Sequence, residues 1–169
     1  YQSIRFSKKV FSIIDCSKFK NFNFLIWLDA DIVCYKKILI KNLKILIKKN
    51  IYFSYLGRDY LKYKNTNQNF YLESGFMIFN LDHKKSNFFM KMLTKYYMQG
   101  LIYKEKEWHD AYIFHILKDR FLLDEEVFDI TSCYLNSNIN KDYLNVFDNS
   151  YLGKFMKHKK GDRKYNFKN

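Results

Sequence analysis

The stretch Asn23-Phe24-Leu25-Ile26-Trp27-Leu28-Asp29-Ala30-Asp31-Ile32-Val33 constrains this chain more than any other. An apolar run of strand length ends in two carboxylates separated by one small residue. A buried strand that stops at Asp-x-Asp delivers both acids to the rim of a sheet, and in open α/β sheets ligands bind at that rim. Ala30 leaves room between the acids, and two hard oxygen donors suit Mg²⁺ or Mn²⁺. Asp29 and Asp31 are therefore candidate metal ligands. Taken alone, the pattern also describes a strand followed by a solvated acidic turn, so the rest of the chain has to decide.

At 169 residues, with 48% hydrophobic and 20% aromatic content, the chain can build one real core and is not of disordered composition. Its 30 basic and 17 acidic residues leave a net charge of +13. Such a balance suits nucleic acid, an anionic membrane or a phosphate-bearing substrate, and does not choose among them. The enrichment in Lys, Asn, Ile, Phe and Tyr tracks AT-rich codons, so lysine is in part the default surface residue here. The longest apolar run is broken by Asp29 and Asp31 and is no membrane span. Cys16, Cys34 and Cys133 lack metal-type spacing, and their odd count argues against a disulfide framework. A reducing cytoplasm is the expected compartment, with peripheral contact at an anionic membrane left open by the charge. The chain begins at Tyr1, and the expectation is a fragment of a longer protein.

Hydrophobic periodicity predicts a helix over Ser3 to Ile14 and a buried strand over 23–28. It predicts an amphipathic helix from Lys36 to Lys49 and a strand from Ile51 to Leu56, ended by Gly57. Phe70 to Leu81 reads as a strand whose start, Glu73 to Gly75, is a turn or bulge. Asp82 is the expected N-cap of a helix running to Gln99 and stopped by Gly100. A further helix is expected near Trp108-His109-Asp110, running to Lys118, and a short strand over Glu126 to Ile130. Strands and helices alternate without a linker or composition break, so the expected architecture is α/β in one domain, 1–169.

The second informative motif is His158-x-x-Gly161-x-x-Lys164. A neutral imidazole can complete the coordination of an ion held by two carboxylates. Gly161 permits close backbone approach to a phosphate, and Lys164 supplies a mobile positive charge. Glu73-Ser74-Gly75 places an acid and a hydroxyl before a buried strand, either to bond sugar hydroxyls near a reacting centre or as a surface bulge. Glu107-Trp108-His109-Asp110 gathers two acids, an imidazole and an aromatic face at a helix start. That set fits simple capping, and it equally fits a saccharide site in which Asp110 bonds hydroxyls against Trp108. Arg5, Lys8 and Lys9 read as a solvated helix face, with a diphosphate as the functional alternative. His83 reads as solvated and His115 as structural.

These motifs, in this order, resemble the nucleotide-sugar-dependent glycosyltransferases of the GT-A fold, in particular the glycogenin and bacterial galactosyltransferase branch. The resemblance covers Leu25 to Val33, Glu73 to Asn80, Glu107 to Tyr112 and His158 to Lys164. It implies a mixed sheet flanked by helices, lacking here the family's first strand-helix-strand unit. It implies that Asp29, Asp31 and His158 hold Mn²⁺ or Mg²⁺, with Asp29 also facing the donor. Gly161 and Lys164 would contact the diphosphate of a UDP- or GDP-linked sugar, and Arg5 would lie near the nucleotide. Glu73 and Asp110 would be the catalytic acids beside the donor sugar. The acceptor, whether saccharide, lipid-linked or protein, is not implied. The chain departs from the family in lacking the first acid of an Asp-x-Asp at 108–110, and in carrying Tyr165 where Pro-Trp is common.

Two other classes compete. A haloacid-dehalogenase-like phosphatase would use Asp29 as nucleophile and Asp31 as general acid, but gives His158 no role. A non-enzymatic basic module would bind nucleic acid through its lysines. It ranks below the enzyme because it leaves the order of acidic and His motifs without explanation.

Overall fold

Strand β4, Glu73–Asn80, is buried along its whole length and is the axis on which the rest is built. Its side chains alternate between two cores, as the period of a strand requires. Met77 and Phe79 enter one hydrophobic cluster; Phe76 and Ile78 enter the other. The computed structural model describes residues 2–19, 21–58, 71–133 and 146–159.

Four strands form a mixed sheet in the order β1-β4-β3-β5: β1 Phe24–Leu28, β3 Phe53–Leu56 and β5 Val127–Asp129 join β4. The β1–β4 and β4–β3 pairs are antiparallel, and β3–β5 is parallel. A second, two-stranded sheet pairs β2 Ile32–Cys34 with β6 Met156–His158. Helices α1 Gln2–Ser17, α3 Ser86–Met98 and α4 Asp110–Phe121 cover one sheet face through Val10, Ile13, Phe89, Leu93, Ile113 and Phe114. The short helices α5 Ile130–Cys133 and α6 Val146–Asn149 and the β6 region fill the other face around Phe147, Leu152 and Met156. Each fully buried Phe, Ile or Leu adds about 2 kcal/mol of burial free energy, so the two clusters dominate the stability of the described fold. The α/β class and the mixed, helix-flanked sheet are thus present.

Several expectations are corrected. β1 is not a fully buried strand: it sits at the sheet edge, with Ile26 and Leu28 36% and 40% exposed. Its alternate residues Leu25 and Trp27 do pack, against the α1 side. The long helix expected over 36–49 is only α2, Ile40–Lys44, none of whose residues is buried. Burial of Leu46 in the second core turns the chain away, with i→i−3 bonds from Leu46 N and Ile47 N in place of a continuing helix. Asp82 does not cap α3. The Asn80 side chain accepts from Asp82 N at 3.2 Å and holds a turn there, so the helix starts at Ser86. Gly100 does end that segment, in the left-handed conformation with φ 69°.

The bulge expected near Glu73 is present. Tyr55 lies opposite Met77 but Leu56 opposite Glu73, so the register shifts there. The segment carrying Gly161 and Lys164 lies outside the described residues. Among the described residues no helix is long and apolar enough to cross a membrane.

Candidate metal centre and acidic site

Antiparallel pairing assembles this site. Because β4 runs against β1, the residues that follow β1 meet those that begin β4. Leu28 lies opposite Phe76, and Asp29 N donates to Gly75 O at 3.0 Å. Asp29 therefore lands beside Glu73-Ser74-Gly75. The chain turns at once, with Ile32 N donating to Asp29 O at 3.1 Å, and enters β2. There Ile32 pairs with His158, and Lys159 N donates to Asp31 O at 3.0 Å. Two Asp and one His, brought from opposite ends of the chain, offer ligand atoms that all lie within 4.8 Å of one another.

His158 is 3% exposed and sits between two acids. Its Nε2 is 2.9 Å from Asp31 Oδ1, and its Nδ1 is 3.7 Å from Glu73 Oε1. Nδ1 is buried and makes no hydrogen bond. A neutral imidazole has a single N–H and cannot serve both carboxylates. A cation held on Nε2 beside Asp31 would stand in for the proton there and leave Nδ1–H to face Glu73. Carboxylate–imidazole–metal chains of this kind fix the ring orientation and raise its basicity. The donor set of two carboxylates and one imidazole fits Mn²⁺, and Mg²⁺ through its oxygens. Gly75 makes the arrangement possible: a Cβ there would stand 2.8 Å from His158 Cε1.

Glu73 is 4% exposed and held by Arg58, whose Nη2 donates to Oε2 at 2.9 Å, and by Gly75 N at 3.2 Å.

Lys9 of α1 is the residue sequence reasoning misplaced. Its ammonium is not solvated: Nζ lies 2.8 Å from Asp29 Oδ1 and 2.5 Å from Asp110 Oδ2, and donates to Ser74 O and Oγ at 3.1 Å each. Burial works to lower its pKa, but Asp110 and Asp29 together outweigh burial and the net direction is upward. Lys9 is therefore charged at neutral pH. Trp27 Nε1 also donates to Asp29 Oδ1, at 2.7 Å. With Oδ1 taken by Trp27 and Lys9, Oδ2 is the oxygen Asp29 can present to an ion. Trp27 is two residues before Asp29, hence on the same strand face, a signal the sequence did carry. Arg5 lies one turn before Lys9, exposed, with its guanidinium 5.9 Å from the Phe6 ring centroid.

Asp110, 4% exposed, opens α4 and accepts from Ser74 Oγ at 2.9 Å. His109 caps this helix, its Nδ1 accepting from Tyr112 N at 3.1 Å, which leaves Nε2–H to donate to Glu107 Oε2 at 2.8 Å. Tyr71 Oη donates to the other Glu107 oxygen, and that bond holds the Glu107 carboxyl below its ordinary pKa. The capping reading of this cluster is correct for His109, while Asp110 joins the acidic site. Trp108 is 40% exposed and packs on Tyr103. His83 is half-buried against the Tyr52 ring, and His115 pairs with Asp119 at 3.3 Å.

Compared with known proteins, the chain matches no family model and no curated sequence.

Proposed function

We propose that this chain is a metal-dependent glycosyltransferase that moves a sugar from a UDP- or GDP-linked donor to an acceptor. The observation that carries this reading is the convergence of Asp29, Asp31 and His158, from three separate strand ends, with Glu73 and Asp110 beside them. A mixed sheet flanked by helices is compatible with the GT-A class that the motifs resemble. A divalent ion bound there supplies electrostatic stabilisation to the diphosphate as it leaves. Asp29, Asp31 and His158 hold it, and Glu73 orients the imidazole. Lys9 pairs with Asp29 and Asp110 and fixes both in place. Asp110, at the start of a capped helix, bonds hydroxyls of the donor sugar. Arg5, Gly161 and Lys164 take the nucleotide and its phosphates.

The phosphatase reading is weaker because His158, joined to Asp31, has no part in it. Calorimetric titration of Mn²⁺, with and without UDP or GDP, tests the proposal on the unaltered chain and on Asp31→Asn and His158→Ala. Nucleotide-enhanced binding that both variants lose is expected. Metal binding indifferent to His158 removes the three-ligand site and returns the phosphatase to first place.

A further inference from the structure

We propose that the face formed by 33–45 and the adjoining β6 region docks on an anionic membrane surface. Between Ile32 and Asn50 the chain carries Lys36, Lys37, Lys41, Lys44, Lys48 and Lys49 and no acidic residue. Interleaved with them are large apolar side chains in water: Val33 is 40% exposed, Tyr35 61%, Leu39 42%, Ile40 73% and Ile45 37%. Single exposed apolar residues are ordinary, but a cluster ringed by one sign of charge marks an interaction surface. Helix α2 at its centre buries none of its residues: Leu43 is half-covered, while Ile40 stands 73% exposed.

The surface extends across the neighbouring strand. Val33 pairs with Lys157, and both are exposed, whereas Ile32 and its partner His158 point inward. Tyr35 N and Lys36 N both donate to Phe155 O, and the Asn42 side chain donates to Tyr151 Oη at 3.1 Å. Those bonds join 35–42 to 151–155, so Lys154 and Lys157 add their charge to the same region.

Charge complementarity and side-chain chemistry together select the occupant. Lysines over an apolar cluster are how interfacial segments hold acidic headgroups while aliphatic side chains enter the acyl boundary. Single-stranded nucleic acid would use aromatic rings for stacking, and here four of the five exposed apolar residues are aliphatic. Because β2 leads directly from Asp31 and β6 ends at His158, the membrane would border the metal centre.

The test is co-sedimentation of the full chain with vesicles of phosphatidylcholine alone and with about 30 mol% phosphatidylglycerol. Binding is expected to the acidic vesicles and to fall about tenfold or more with pure phosphatidylcholine. Ile40→Lys is the decisive variant, because it adds positive charge while removing an apolar contact at a site too exposed to affect folding. It is expected to weaken vesicle binding about fivefold or more, as is Lys36→Glu/Lys37→Glu. Equal or stronger binding by Ile40→Lys overturns the proposal, as does tighter association with poly(U) than with acidic vesicles. Asp31→Asn should leave vesicle binding unchanged, so this inference and the glycosyltransferase reading fail separately.

Discussion

Glu73 and Lys9 divide the work of keeping three acids and an imidazole together, and the two make different predictions. Glu73 faces the Nδ1 side of His158, so its effect on a metal bound there would pass through His158 and not through contact. Glu73→Gln should lower Mn²⁺ affinity about 10- to 100-fold, the usual cost of losing an outer carboxylate partner, and should also lower the melting temperature because it breaks the buried pair with Arg58. Titration of the folded variant checks this, and unchanged affinity would separate Glu73 from the metal centre. Lys9 instead offsets charge. Lys9→Met leaves Asp29 and the buried Asp110 facing each other without a cation. That should destabilise the chain by about 3 kcal/mol, the lower range for breaking a buried pair, because Asp29 is partly solvated. Thermal melts with chelator and with Mn²⁺ are the check: the loss should be larger with chelator, since a divalent ion takes over part of the role of Lys9. Of these residues the sequence announced the candidate ligands, because Asp-x-Asp and a late His offer donors that suit a divalent ion. It did not announce Lys9. Arg5, Lys9 and Ile13 share one helical stripe, and which turn reaches the acids depends on how far along α1 the sheet edge lies. That distance is a tertiary quantity.

At the scale of elements, the helical face is locked at a point remote from the site. The 3₁₀ helix Leu101–Lys104 is followed by Glu105, which receives Arg120 of α4 in a bidentate pair, Nη2 to Oε2 at 3.0 Å, and also Tyr96 of α3 at 3.1 Å. The hydrogen bond from Arg120 is the main reason the Glu105 carboxyl is held below its ordinary value of 4.5. A carboxyl depressed in the folded state contributes stability above its unfolded pKa, and loses it as pH falls through the folded one. The melting temperature should therefore hold from pH 7 to about pH 5 and fall on further acidification. Glu105→Gln should start lower at pH 7 and fall less steeply; a slope identical to that of the unaltered chain would rule Glu105 out as a source of acid sensitivity. Elements whose burial follows a simple period were legible in the sequence, among them α1, β3 and the α4 start at His109–Asp110. The segment 36–49 was not, since alternating Lys and Ile satisfies a helical period whether or not anything covers its apolar side. Here only Leu46 and its neighbours found the core, and the helix shrank to Ile40–Lys44.

For the molecule as a whole, two apolar surfaces compete to explain any self-association. One is the edge of β1, which among the described residues pairs only with β4 and leaves Ile26 and Leu28 open on the face away from α1. An exposed edge strand offers unpaired N–H and C=O groups to a second chain, and natural proteins blunt such edges with lysine. The other is the basic face around Ile40, where a run of lysines without acids, on a chain of net charge +13, opposes contact between identical copies. Charge repulsion therefore makes the β1 edge, of these two surfaces, the expected place for any self-association. Ile26→Lys should raise the concentration at which the chain stays monomeric in light scattering after size exclusion. It should cost no more than about 0.5 kcal/mol of stability, since it replaces a partly exposed side chain. Ile40→Lys should leave the association unchanged. The reverse pattern, relief by Ile40→Lys and none by Ile26→Lys, would place the contact on the lysine-rich face and show that its charge fails to keep copies apart.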